Sequence, residues 1–329
     1  VASTSINVPG AGPVAGSRSF ISRLRSGDEI ARLITFLFAM TVVLITLMLV
    51  FELWVGSALP RHKFGLSFFF TRVWDPIAED FGALPFIYGT LVTATVALVL
   101  AVPLGIGAAI FLAELAPQKI SDTLQFFIDL LAAVPSVIYG LLGVFILIPL
   151  MREWIQPALK NTLGFLPLFQ GPAYGVGFFT AGLVLAIMVI PYIISVSREV
   201  LMSVPRDQRE AALALGSTRW ESTWRVVVPF AKTGIMGSIF LALARALGET
   251  MAVTMVIGNT PTISASLFSP GYSIAAVIAN EFTEATGDMY LSALIELGLV
   301  LFLLTFLLNG LARLLMLLTM RRGSGMGHT

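Results

Sequence analysis

Arg245 and Glu249 are the residues of this chain best placed to do chemistry, because the run around them, Leu241-Ala-Leu-Ala-Arg245-Ala-Leu-Gly-Glu249-Thr250, is otherwise nearly all apolar. If the run is helical, positions four apart are neighbours on one face. A charge near the centre of a bilayer costs about 2.5–3.5 kcal/mol on the insertion scale, so such residues face protein or water and find partners. Two readings follow. In one, Arg245 offers its permanently charged, planar fork to an oxyanion. Glu249 holds and partly neutralises it until the anion arrives, and Thr250 lies on the same path. In the other, the pair is a static salt bridge that pins the helix to its neighbours. The same helix carries Gly234, Ser238, Ala242 and Ala246 at every fourth position, a ridge of small residues along which another helix can pack closely. The ridge is offset by about 100° from the charged face.

The rest of the chemical inventory is mostly negative. No G-x-x-x-x-G-K-[ST] is present, so the chain does not bind ATP by a P-loop. There is no G-x-S-x-G nucleophile motif, and an intramembrane enzyme would need more than Arg245 and Glu249 at one depth. The two histidines, His62 and His328, lie in a loop and in the tail, which disfavours a histidine metal or acid–base centre. With no cysteine there is neither disulfide nor thiolate site. Glu52 is expected to snorkel from the end of the first span. Glu296 is placed to face a polar interior, and Glu281, Glu284 and Asp288 to form a solvated acidic loop.

The elements that position these residues follow from composition. Of 329 residues, 57% are hydrophobic and 12% charged, against about 25% charged in soluble domains; mean hydropathy is +0.91. The class is an all-α integral membrane protein. A net charge of +1 without basic runs away from the membrane flanks implies no nucleic-acid partner. Apolar stretches of spanning length predict six transmembrane helices near residues 33–55, 86–112, 130–150, 178–197, 234–257 and 290–312, within a transmembrane domain 30–318. Polar connectors fill residues 56–83, 151–177 and 259–288, with a short helix near Ala275–Ala279. The Ser67–Phe70 patch is read as interfacial or packed. Residues 1–29 and 319–329 are read as flexible ends; the Ala/Gly/Ser/Pro-rich start is not a signal peptide, because its basic residues follow it. Prolines and glycines inside the spans suit helices packed around a path, or simply close helix contact.

With the N-terminus inside, fourteen of the 20 lysines and arginines fall on the cytoplasmic side, five outside, and Arg245 within a span. Positive-inside bias therefore puts both termini in the cytoplasm. The one long polar interval of the second half, Ser203–Ala231, lies there too. Ser203 is expected to cap a helix with Pro205 and Asp207 in its first turn. Gly216 terminates that helix in the left-handed region. Thr218 and Glu221 form a capping box that starts a second helix ending at Pro229. Trp220 and Trp224, four apart, share one contact surface.

Glu210-Ala-Ala, Gly216 four residues beyond the second alanine, and the distal Val228-Pro229 resemble the EAA loop of bacterial ABC-importer permeases. The run Arg245-Ala-Leu-Gly-Glu-Thr-Met-Ala-Val253 followed by Ile257-Gly-Asn-Thr260 narrows the resemblance to the C-type permease subunits of phosphate-specific importers. Ala132-Ala-Val-Pro-Ser-Val-Ile-Tyr-Gly140 and Val102-Pro-Leu-Gly-Ile-Gly107 are similar too. The resemblance spans roughly Phe86–Arg313. It implies a type I (MetI-like) importer fold in the bacterial inner membrane. The expected partners are a homologous A-type permease, a dimer of ATP-binding subunits and an extracytoplasmic phosphate-binding protein. It also implies inorganic phosphate as substrate and alternating access as mechanism. ATP and Mg would sit on the partner ATPase, and this chain would bind no cofactor and catalyse nothing. Glu210, Ala211, Ala212, Gly216, Trp220 and Pro229 would couple to the ATPase, and Arg245 would meet the phosphate. The alternatives are a permease for sulfate or molybdate, and an ATPase-independent secondary transporter or channel.

Overall fold

The computed structural model describes residues 28–324, with side chains at residues 29–314 and 316. The expectations for the flexible start, for Arg18, Arg23 and Arg25, for the end of the tail and for His328 lie outside the described residues. The chain forms two compact units, Val1–Glu52 and Leu53–Thr329. The first holds most of helix α1 (Asp28–Gly56), an apolar helix long enough to span a bilayer.

The second unit begins with a short helix α2 (Ala58–Phe64), a 3-10 turn at Gly65–Phe69 and a two-stranded hairpin, β1 (Trp74–Asp75) with β2 (Asp80–Phe81). The remaining helices are α3 (Leu84–Leu115), α4 (Gln118–Ala132), α5 (Ser136–Leu163), α6 (Phe178–Met202), α7 (Arg206–Ala214), α8 (Arg219–Gly248), α9 (Met251–Thr254), α10 (Ile274–Glu281) and α11 (Asp288–Ser324). Six helices, α1, α3, α5, α6, α8 and α11, are long and apolar enough to cross a membrane.

The bounds correct the sequence expectations in four places. The third span begins at Ser136 and runs to Leu163, past the expected end at Leu150. Leu130 belongs instead to the amphipathic α4, which stops before Val134-Pro135 because a residue preceding proline is held out of the helical region. The fourth span continues to Met202, so Ser203 does not cap the next helix. Its hydroxyl donates to the Val200 carbonyl at 2.7 Å, and Pro205 holds the N-cap position instead. The fifth span runs Arg219–Gly248 rather than 234–257. The last helix persists to Ser324, past the expected start of the tail at 319.

Prolines explain two of these corrections. Pro149, Pro157 and Pro229 each sit two residues beyond a π-helical turn, at Gly143–Leu147, Met151–Ile155 and Thr223–Val227. Proline donates no N–H and its ring crowds the carbonyl four residues back. Widening the preceding turn relieves that crowding while the helix continues. Prolines expected to end helices therefore pass through α5 and α8.

The core is built on α3 and α6, whose facing residues Ala97, Ala101, Ala181, Leu185 and Val189 are buried. A Cβ on Gly182 would stand 2.5 Å from the Val96 side chain, so glycine is what allows this approach. Ridge residues of α8 face α6. Ser238 and Ser197 share a buried hydrogen bond of 2.7 Å, and a Cβ on Gly234 would stand 2.3 Å from Val200. Ala242 and Ala246 are buried along the same line.

A second cluster gathers Phe68, Phe81, Phe86, Tyr272, Val277 and Leu294. Within the Ser67–Phe70 patch Phe68 is fully buried and packed, whereas Phe70 is 74% exposed. Glu281, expected in a solvated acidic face, accepts hydrogen bonds from Trp74 Nε1 at 2.9 Å and Tyr290 Oη at 2.7 Å, tying the hairpin to α10 and α11. Glu296 is 4% exposed and leaves one carboxylate oxygen without a partner, packed where a polar interior was expected.

Gly89 makes the tightest contact of a glycine with backbone, since its added Cβ would stand 2.0 Å from the Tyr272 carbonyl oxygen. Backbone cannot yield as a side chain can, so Gly89→Ala is expected to destabilise the protein by about 1–3 kcal/mol. Thermal unfolding in detergent checks this against Gly107→Ala, a position with nothing within 4 Å, which should leave the midpoint unchanged or raise it.

Candidate functional site

Two regions hold the residues singled out by sequence, and α8 joins them. At its far end α8 stops at Gly248, where Glu249 takes extended backbone (φ −71°, ψ 129°). Thr250 then opens the four-residue α9. Arg245 and Glu249 are therefore not on one continuous helical face, and among the described residues the two ion pairs within 4.0 Å involve neither of them. The Glu249 carboxylate accepts instead from the Ala252 backbone N–H at 3.2 Å, holding the start of α9. The Thr250 hydroxyl donates to the Gly248 carbonyl at 3.4 Å, and Thr254 donates to the Thr250 carbonyl at 2.7 Å.

Arg245 occupies the last turn of α8, where a cation complements the helix dipole. Its guanidinium carbon lies 5.9 Å from the centre of the Tyr192 ring, a cation–π distance, and its charge reaches Tyr139 on α5. The side chain is otherwise exposed at the surface of the chain. Within a span, an exposed charge requires water, a partner subunit or an anion.

α9 is seated by glycines of α5. A Cβ on Gly140 would stand 2.5 Å from Met255 Sδ and one on Gly143 2.7 Å from Val256 Cγ1. Gly140 and Gly143 are thus packing glycines that fix the helix break beside Arg245.

The elbow occupies the other end of α8. Helix α7 closes with a Schellman motif: Ser217 N–H bonds to Ala212 O at 3.2 Å and Gly216 N–H to Leu213 O at 2.9 Å, with Gly216 at φ +86°. The Thr218–Glu221 capping box is complete. From Arg219 the helix continues through Pro229 into the span, so the elbow's second helix and the arginine-bearing helix are one element. A cavity of about 480 Å³ opens between the two arms, lined among others by Gln208, Ala211, Ala212, Leu215, Gly216 and Glu221. Glu210 is exposed, as are Leu215 (90%), Trp220 and Trp224. The two indoles meet edge to face at 5.5 Å and form one surface. This end offers apolar area and a carboxylate to a partner.

The family of binding-protein-dependent transport system inner membrane components matches residues 101–317, the interval that holds α8 and the elbow. The chain belongs to that permease family. Among curated relatives, the phosphate transport system permease protein PstC of Mesorhizobium japonicum is 48% identical over 83% of this chain and 85% of its own length. PstC of Pasteurella multocida is 50% identical over 85% and 88%. The probable PstC of Methanocaldococcus jannaschii is 39% identical over 87% and 92%.

Two solved importers share the fold. One is a bacterial ABC transporter involved in the import of the acidic polysaccharide alginate, with a TM-score of 0.55 at 17% identity, covering 88% of this permease and 98% of that chain. The other is the methionine transporter MetNI in inward-facing form, with a TM-score of 0.52 at 15% identity, covering 74% and 98%. The permease is thus a six-span, multi-pass membrane protein of the type I, MetI-like importer fold.

Sequence reasoning missed one pair at the base of the elbow, Arg209 and Glu114, which are 2.7 Å apart. The available signal was an arginine directly preceding the elbow's glutamate, with a lone carboxylate at the end of the second span.

Proposed function

We propose that the chain is one of two permease halves of an ATP-driven phosphate importer in a bacterial cytoplasmic membrane. It is a transport subunit rather than an enzyme. The observation that carries the anion reading is Arg245: a permanent cation at a helix break inside a span, exposed and without a carboxylate partner among the described residues. Discontinuous helices of this kind mark substrate sites in transporters. Relatives about half identical over most of the chain bear the name of phosphate permeases, which supports phosphate as the anion.

The lysine and arginine bias supports both termini and the elbow on the cytoplasmic side. There the exposed face around Glu210, Leu215 and Trp220 would dock in an ATPase subunit that holds ATP and Mg. A homologous A-type permease would complete the path, and an extracytoplasmic phosphate-binding protein would deliver the anion. Closure of the ATPases draws the two elbows together, and α8 carries that movement to Arg245. The path opens outward, the guanidinium lowers the cost of stripping water from phosphate, and hydrolysis reverses the cycle.

Radiolabelled phosphate uptake tests this in cells lacking the chain and supplied with it alongside its partner subunits. Uptake should return, and excess sulfate or molybdate should not compete. Equal competition by sulfate would assign another oxyanion. Uptake by the chain without an ATPase would assign a secondary transporter or channel.

A further inference from the structure

The elbow is held by more than its own helices. Arg209, on the first turns of α7, places its guanidinium over the end of α3. Its Nε lies 3.2 Å from both carboxylate oxygens of Glu114 and its Nη2 2.7 Å from Oε1. The same Nη2 donates to Leu201 O at 2.7 Å, and Nη1 donates to Val204 O at 2.5 Å. One side chain thus binds the carboxylate in a fork and also donates to two carbonyls at and just beyond the end of α6, Leu201 O, which accepts from Val204 N–H as well at 3.3 Å, and Val204 O. The two side chains are 21% and 10% exposed, so solvent competes little for the pair. Glu114 faces Arg209 from within a π-helical turn, Phe111–Leu115, which ends two residues before Pro117.

A second arginine reinforces the joint. Arg198 on α6 donates to Ser121 Oγ at 3.0 Å and to Asp122 Oδ1 at 3.2 Å, and Ser121 donates to Leu112 O at 2.8 Å. The ends of α3 and α6, the start of α4 and the elbow helix α7 are therefore tied at one level by directional, charge-assisted bonds. By contrast Glu210, one residue along from Arg209, is exposed and available to a partner.

We propose that Arg209 and Glu114 form a strut that stays closed through the transport cycle and delivers the elbow's movement to α3 and α6 as well as to α8. Both are positioning residues, since neither reaches the anion or the partner's nucleotide. The strut gives the elbow two outlets, the continuous helix α8 on one arm and the α3–α6 pair on the other. This rests on the reading of the elbow as the docking segment for an ATPase.

The test uses the assembled transporter in lipid. The chain has no cysteine, so spin labels at Asp207→Cys on the elbow and Leu104→Cys on α3, both exposed, report one distance. With the strut intact, that distance should be the same without nucleotide and with ATP trapped. In Glu114→Gln it should shift or broaden on trapping. A distance that already changes in the otherwise native chain would overturn the proposal, whatever anion the transporter carries.

In parallel, with activities normalised to assembled complex, Glu114→Gln and Arg209→Lys should keep basal ATP hydrolysis and lose at least about tenfold of transport per ATP. Glu114→Asp retains the charge and should keep most of the coupling. Unchanged transport per ATP in Glu114→Gln would sink the strut, as would Glu114→Asp failing as completely as the glutamine variant. Loss of ATPase co-purification in chains with an intact strut but an altered elbow face would bear on docking alone, so the two ideas fail separately.

Discussion

Arg245→Gln is expected to abolish phosphate uptake while the complex assembles and hydrolyses ATP at its basal rate. The guanidinium makes no ion pair among the described residues and meets the Tyr192 ring at 5.9 Å, so its loss removes little that holds the chain together. What is lost is attraction for an anion. A unit charge about 4 Å away at an effective dielectric near 20 contributes about 4 kcal/mol, which corresponds to roughly a thousandfold in occupancy. Arg245→Lys should recover part of the uptake, since a lysine supplies the charge without the planar fork. The readouts are uptake per assembled complex and the apparent affinity for phosphate. Normal uptake by the glutamine variant would mean that the arginine serves only to pack against Tyr192.

The second large effect is expected at Gly216. Its φ of +86° and its N–H bond to Leu213 O define the end of α7, and nothing lies within 4 Å of where a Cβ would stand. Substitution therefore acts through backbone conformation and not through a clash. Gly216→Pro imposes φ near −65° and deletes the N–H, so the elbow cannot turn and costs of about 3 kcal/mol or more fall on this motif. Gly216→Asn, which tolerates the left-handed region, should cost less than about 1 kcal/mol. Co-purification of the ATPase and phosphate-stimulated hydrolysis should collapse for proline and survive for asparagine. Equal coupling in both would remove the elbow from the docking surface.

The elbow was readable in advance because its signals are local. A glycine in the left-handed region and a Thr-x-x-Glu box act within six residues of chain, and both behave as their types dictate. Apolar runs of spanning length were equally plain, and six spanning helices result. Helix ends were harder. Pro229 reads as a stop, yet a widened turn before it carries the helix through, as another does before Pro149.

The reverse error occurred at Gly248. No proline marks the break there, and it depends on Glu249 binding the Ala252 N–H and on α9 seating against Gly140 and Gly143. The contacts of Gly140 and Gly143 join residues more than a hundred positions apart, as does the Trp74–Glu281 bond across 207 positions. Periodicity cannot anticipate them. The Arg245–Glu249 pairing failed for the same reason: a spacing of four implies a shared face only if the helix continues.

That α8 is one element of 30 residues from the elbow to Gly248 makes it a lever. At 1.5 Å per residue it is about 45 Å long. A tilt of about 10° at the docking end sweeps the opposite end through about 8 Å, more than the width of a hydrated anion's inner shell, with no bond in the shaft needing to break. The π-helical turn at Thr223–Val227 is the one compliant point along it, close to the fulcrum. Most of the shaft lies beyond that turn, so a bend there subtracts the most from the displacement of the far end, and the lever works only while the turn stays stiff.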